Sequence, residues 1–223
     1  MKVVIFGATG MVGQGVLREC LLDPGVEGIL AVGRAAAGRR EGKLRELVVP
    51  DLTDLSAVAP ELAGYQACFF CLGIASAGMS EADYRRVTYD IALAAARALL
   101  ERNPAMTFIF VSGAGADSTA RGRVMWARLK GETENAILAM PWKAAYVFRP
   151  AFIQPLDGIQ SRTTLYRVFY SALGWLYPVV RAVFPRQVTT TRTIGRAMLK
   201  AAREGAPKRV LESGDINALA GPA

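Results

Sequence analysis

Residues 2–22 read KVVIFGATGMVGQGVLRECLL, and this stretch leaves the chain few choices of fold. A short apolar run, Val3 to Phe6, is long enough for one buried strand. Gly7, Gly10 and Gly13 follow, and then Val12, Val16, Leu17, Cys20 and Leu21 recur at helical steps of three and four. Strand, glycine turn and helix in that order make an anion site. A backbone approaches a pyrophosphate closely only where no Cβ intervenes. The open N–H groups and the positive dipole end of the helix then face the charge. On this reading Gly7, Thr9, Gly10, Met11, Val12 and Gly13 line a dinucleotide site. The alternative is a tight strand-to-helix turn that needs glycine and binds nothing.

The same alternation continues. Gly28–Val32, Leu44–Val49, Ala67–Leu72, Thr107–Val111 and Ala144–Phe148 read as strands. Helical or turn patterns separate them: a short helix over 55–62, a long one over Ser80–Glu101 capped by Ser80, and another from about Arg123 to Leu138. The fourth strand contains ACFFCL, a continuous apolar run suited to a parallel strand covered on both faces. Six strands alternating with helices predict an α/β fold, a doubly wound parallel sheet of order 3-2-1-4-5-6. A late strand over 209–212 extends it. The 223 residues suit a single domain.

Parallel strands align their carboxyl ends, so the residues just after each strand share one edge. After the second strand stands Gly33-Arg34, where a fold gripping NAD usually places an acid. A guanidinium there pairs with a 2′-phosphate and favours NADP(H) over NAD(H), unless Arg34 is merely a surface residue. After the third strand come Asp51-Leu52, read either as the border of an adenine site or as a turn. Gly73 follows the fourth strand in a run of small residues, Ala75 to Gly78, that leaves room for a ligand or makes a plain loop. Ser112 follows the fifth strand, and Arg149-Pro150 the sixth.

Cysteine and histidine usage narrows the chemistry. There is no histidine, so a His-ligated metal or a Ser-His-Asp triad is excluded. Cys68 and Cys71 have redox-pair spacing but sit in a strand, where residues three apart face opposite ways, so buried free thiols are expected, as for Cys20. No metal is expected. With only Met1-Lys2 ahead of the first strand, no leader is read and a cytoplasmic location is expected.

The net charge of +8 is unevenly spread: between Glu134 and Glu204 ten cations face one acid, Asp157. Such a field suits an anionic small molecule, a protein partner or a membrane surface, or it is a solvated basic face. Nucleic acid is disfavoured, because the aromatics lie in apolar runs and not as a stacking platform. From Ala151 the alternation stops. Residues 151–192 read as an elaboration on the substrate side, with the aromatic stretch Thr164–Phe184 as a lid over an apolar pocket or an amphipathic element at a membrane surface. It is too interrupted to span a bilayer. Thr189–Thr191 caps a last helix, 193–203.

Taken together, GATGMVG at 7–13, Arg34, Asp51-Leu52, Gly73, Ser112, Lys130 and Arg149-Pro150 resemble the short-chain dehydrogenase/reductase superfamily in its atypical and extended branches. LKGETE at 129–134 is similar to the Tat-interacting-protein oxidoreductase relatives and their bacterial counterparts. The resemblance implies a serine polarising a carbonyl, a tyrosine exchanging its proton, and a lysine four residues on that binds the nicotinamide ribose. It assigns Ser112 and Lys130 to catalysis and puts Trp126 where the tyrosine belongs. An indole N–H is no useful acid near neutral pH. Tyr84, Tyr89 and Tyr166 are candidate substitutes, as is a water held by Ser112 and Lys130. Two functions follow: an NADP(H)-dependent oxidoreductase with an unusual proton donor, or a non-catalytic NADP(H)-binding module that signals to a partner.

Overall fold

A strand buried on both faces needs apolar side chains at every position, and these strands have them. The computed structural model describes residues 1–36, 38, 41–159 and 186–221. Its main sheet contains β1 (Lys2–Phe6), β2 (Gly28–Gly33), β3 (Leu44–Val48), β4 (Ala67–Phe70), β5 (Thr107–Val111) and β6 (Ala144–Arg149). Short β7 (Phe152–Gln154) and β8 (Val188–Thr190) pair with each other, and β9 (Val210–Glu212) joins the main sheet beside β6. All neighbours in the seven-stranded sheet are parallel, in the order β3-β2-β1-β4-β5-β6-β9. The expected doubly wound order is present, with the late strand as its seventh member.

Alternate residues of β1 feed two cores. Val3 and Ile5 face α1 (Met11–Leu22) and α5 (Thr191–Glu204), with Val16, Leu17, Ile194 and Met198. Val4 and Phe6 face α3 (Ile91–Arg102) and α4 (Met125–Ala139), with Leu99 and Ile137. On this second side Phe6 stacks on Phe70 with ring centroids 5.4 Å apart, and Phe70 lies 5.7 Å from Phe110. Each such ring, fully buried, contributes roughly 2–3 kcal/mol by area. Cys68 belongs to the second core and Cys71 packs against the first, so the pair points to opposite faces, as the strand period requires. All three cysteines are free thiols, and burial pushes each of them well above the ordinary thiol range.

The long helix expected from Ser80 is real but not uniform. Ser80 Oγ accepts from the Asp83 amide at 3.1 Å and caps α2 (Glu81–Arg85). A π turn over Arg86–Asp90 then leads into α3. The segment over 56–62 is a 3₁₀ helix, not an α-helix, with Pro60 inside it removing one amide donor. Thr190 caps α5, accepting from the Thr193 amide at 2.9 Å. A final helix, α6 (Ser213–Ala220), opens on a capping box between Glu212 and Asp215.

Helices α1 and α5 touch through glycine. A Cβ on Gly15 would lie 2.6 Å from the Thr191 side chain, and one on Gly195 would lie 2.7 Å from Glu19. This crossing also redistributes the basic C-terminal run. Arg196 reaches Glu19 at 3.2 Å and Arg203 reaches Asp23 at 2.6 Å, both acids of α1 or its end; Arg192 holds Asp157 at 2.7 Å. The charge imbalance along the sequence is thus partly cancelled in space. The whole aromatic stretch expected as a lid, with Tyr166, lies outside the described residues. Among the described residues no helix is long and apolar enough to cross a membrane, and no group of three or more metal-ligating side chains is found.

Candidate functional site

At the switch point between β1 and β4 the strand order reverses, and the carboxyl ends of both strands open a crevice. Gly7 leaves β1 with φ +79°, and a Cβ there would lie 2.7 Å from the Leu72 backbone. A Cβ on Gly13 would sit 2.0 Å from the Gly7 carbonyl oxygen. Both positions therefore admit only glycine, and α1 is drawn tightly against the end of β1. Gly10 differs: its amide donates to the Gly7 carbonyl at 3.0 Å, but a Cβ would meet that oxygen only at 3.4 Å. Helix α1 starts at Met11 with no side-chain cap and no acid in its first turn. Its positive end is left for an anion. The structure thus gathers Gly7, Thr9, Gly10, Met11, Val12 and Gly13 into one cradle, with Thr9 pinned by Gln14 Nε2 on its carbonyl at 3.1 Å. This cradle fits the pyrophosphate of a dinucleotide.

A cleft continues from the cradle between the ends of β1, β2 and β3, lined by Gly7, Thr9, Val32, Gly33 and Glu46 among others. Arg34 is exposed between the lining residues Gly33 and Ala35, does not itself line the cleft, and has no ion pair among the described residues. No acid occupies the end of β2; Glu46, from β3, is the carboxylate in the wall, and the sequence pattern did not single it out.

The third strand's carboxyl end resolves toward the turn. Asp51 Oδ1 accepts from the Thr53 amide at 2.9 Å and from its hydroxyl at 2.7 Å, which holds the carboxyl below its usual range. Leu52 is buried in the second core. Asp51 thus makes the turn that is one of its two readings, and the Leu52 side chain lies in the core. Gly73 is exposed with open space where a Cβ would stand, so nothing in the packing demands glycine there.

The corner beyond β5 departs most from expectation. The Ser112 hydroxyl donates to Glu134, a buried carboxylate on α4. Arg149, at the end of β6, closes on the same carboxylate through Nε at 3.1 Å and through Nη2, and Nη2 also donates to Ser118 Oγ at 2.6 Å. Glu134 holds the Arg149 guanidinium above its ordinary range. Ser112 is thus a hydrogen-bond partner of Glu134, and Arg149 is one arm of a buried ion pair with the same carboxylate. Pro150 is buried and accepts from the Ala114 amide at 3.1 Å, bracing the loop after β5.

Position 113 is the one whose side chain would face the lysine. It is glycine, and a Cβ there would lie 3.9 Å from Lys130 Cε. Lys130 projects from α4 over Phe110, with Nζ 6.0 Å from the ring centroid, and makes no hydrogen bond or ion pair among the described residues. Burial pulls its ammonium down to about 8, and nearby Glu134 opposes that. Trp126, one turn earlier, lies against Gly115: a Cβ on that glycine would come within 3.3 Å of the indole. Gly131 explains the glycine of LKGETE. The Asp117 carbonyl lies where its Cβ would be, at 1.7 Å, so the loop after β5 rests directly on α4.

The two candidate tyrosines among the described residues do not complete the site. Tyr84 is fully buried, and Tyr89 lies beneath the Arg85 guanidinium at 4.5 Å. Sequence reasoning missed Glu134 and Gly113. The available signal was spacing: Glu134 is four residues beyond Lys130 on one helix face.

A model of the "NAD dependent epimerase/dehydratase family" matches residues 3–118. Among similar proteins, "Protein fmp52, mitochondrial" of Emericella nidulans is 26% identical over 208 residues, covering 90% of this chain and 86% of that protein. "Protein fmp52-2, mitochondrial" of Aspergillus oryzae is 27% identical over 220 residues, covering 95% and 93%. These names overturn the cytoplasmic location expected from the start of the chain. Of solved structures, the Bordetella bronchiseptica enzyme WbmF in complex with NAD+ superposes with TM-score 0.69 at 14% identity, covering 98% of this chain and 76% of that one. An oxidoreductase of the short-chain dehydrogenase/reductase family from Burkholderia thailandensis gives TM-score 0.69 at 18% identity, covering 97% and 92%. At these identities the likeness is one of fold.

Proposed function

The chain belongs to the NAD dependent epimerase/dehydratase family, and from that premise we propose that it is an NADP(H)-dependent oxidoreductase acting on the carbonyl of an apolar or anionic small molecule. The observation that carries the reading is the cradle at the start of α1, where Gly7 and Gly13 have no room for a Cβ and the helix end carries neither cap nor acid. Its backbone holds the pyrophosphate. The nicotinamide, when bound, supplies or accepts a hydride. The chain's own residues hold it, exclude water and manage the proton. We assign the proton to Lys130, which packs over Gly113, while Trp126 lies against Gly115.

Arg34 supports the phosphorylated cofactor over NAD(H). It is exposed, unpaired among the described residues and stands where an acid would repel a 2′-phosphate. Titration of the protein with NADPH and NADH, read by tryptophan and nicotinamide fluorescence, tests both parts. Tighter binding of NADPH is expected. Equal affinity removes the role given to Arg34, and no binding of either removes the reading itself.

A second reading has its own support: the site has Trp126 in the tyrosine position and a serine turned toward Glu134. A cofactor-binding module without turnover would look the same at the cradle. Oxidation of bound NADPH by carbonyl probes separates the two, since a pure binder leaves the nicotinamide reduced.

A further inference from the structure

We infer that Lys130 Nζ is the proton donor of the reaction, and that Glu134, clamped by Ser112 and Arg149, is the positioning residue that keeps it charged. The inference rests on the oxidoreductase reading above. It follows first from elimination among the described residues of the β5–α4 corner, outside which Tyr166 lies. Trp126 has no acidic proton to give near neutral pH. Ser112 already donates to Glu134. Gly113 offers only backbone. Tyr84 is sealed in the core and Tyr89 is covered by Arg85.

Lys130 is different in each respect. Its Cε lies 3.9 Å from where a Cβ on Gly113 would stand, and no carboxylate among the described residues pairs with it directly. The charged groups around it can be placed one by one. Glu134, on its own helix, is the one that favours its ammonium. Arg149 of β6 is neutralised by Glu134. Asp117 of the loop after β5 is turned back on the Thr119 and Gly122 amides. Arg85 of α2 is spent on Glu132 of α4, at 2.6 Å. Burial therefore makes the proton easy to lose, and Glu134 keeps it from being lost too early. With the ammonium titrating at about 8, about nine-tenths of it is charged at pH 7.

The step balances without another reactant. As hydride reaches the carbonyl carbon, the carbon–oxygen π pair moves onto oxygen. The Lys130 N–H bond breaks, an O–H bond forms, and the neutral amine recovers a proton from water. The substrate is reduced by two electrons and the nicotinamide oxidised by two.

Two measurements test this. The first is acetylation of Lys130 by acetic anhydride in the cofactor-free protein from pH 6 to 11, read by peptide mass spectrometry. A midpoint near 8 is expected, and a lower one in Glu134→Gln. A midpoint near the ordinary lysine value of about 10.4 overturns the inference. The second is single-turnover oxidation of bound NADPH by a panel of aldehydes, ketones and oxo acids. Lys130→Met should bind NADPH more weakly, having lost the ribose contact that the resemblance implies, and at saturating NADPH should lose about 100-fold or more in rate. Lys130→Arg should bind and lose the break near pH 8. Lys130→Met with NADPH bound and a rate within about threefold of the parent overturns the inference and leaves the oxidoreductase reading intact. NADPH binding without oxidation by any probe, in the unsubstituted protein, overturns that reading and the inference with it. Should Glu134→Gln fail to fold, the Lys130 variants and the parent's own titration still decide.

Discussion

Two corners of the same sheet edge meet different demands. The glycine cradle at 7–13 is made of backbone, and each of its parts has the position that the local pattern dictates. The Lys130 corner is made of side chains from β5, α4 and β6, and there residue type did not foretell direction. Ser112 stands at the expected place on the edge and its hydroxyl serves another group. A backbone site survives so long as glycines stay small. A side-chain site depends on every neighbour that competes for its hydrogen bonds.

That contrast can be attacked from either side. The largest effect is expected at the cradle, from Gly13→Val. Its Cβ would collide with the Gly7 carbonyl at 2.0 Å, so α1 must move. Cofactor binding should vanish, and urea unfolding should show a loss of about 3 kcal/mol. Gly10→Val is the companion: its Cβ meets the nearest backbone at 3.4 Å, so the fold should hold while NADPH affinity falls. Equal losses of stability in the two would mean that the loop is a turn and nothing more.

On the other corner, Glu134→Ala leaves the Arg149 guanidinium without its main partner, in a site where both are buried. Chemical denaturation should register about 3–5 kcal/mol, the usual consequence of orphaning one half of a buried pair. A loss below about 1 kcal/mol would show that the pair contributes no more than an exposed one.

The Lys130 ammonium makes a subtler prediction, with a definite sign. Its folded-state value of about 8 lies below the unfolded lysine value of about 10.4, so between these pH values the unfolded chain binds more protons. The ammonium's burial penalty is present in full below pH 8. Stability relative to Lys130→Met should therefore rise as pH climbs from 8 to 10.4, by on the order of 1–3 kcal/mol. A pH-independent difference would show that the amine titrates like one in water.

Arg34→Ala is the smallest change proposed. It should weaken NADPH by about tenfold, about 1.4 kcal/mol, and leave NADH nearly unaltered. Parallel losses for both cofactors would place Arg34 outside any role in recognising the 2′-phosphate.

Much of the architecture was legible because it rests on short-range rules. Apolar runs such as ACFF announce buried parallel strands, and Ser80 and Thr190 announce helix starts. Where a rule competes with packing, legibility falls. Pro60 permits a 3₁₀ turn over 56–62 where the sequence reads only as a short helix of unspecified kind. The π turn over 86–90 has no sequence signal that we can identify. The basic run after Glu134 reads as an uncompensated field until folding brings Glu19 and Asp23 of α1 against Arg196 and Arg203 of α5.

By itself, the sequence determined the parallel sheet, its strand order and the glycine cradle, because strand period, helix period and the absence of a Cβ are properties of residues and their immediate neighbours. Tertiary structure alone decided that Asp51 closes a turn, that Arg149 and Ser112 converge on Glu134, and that Gly113 faces Lys130. Those facts depend on which strand ends lie side by side and on which of several nearby polar groups wins each hydrogen bond, and distance along the chain carries neither.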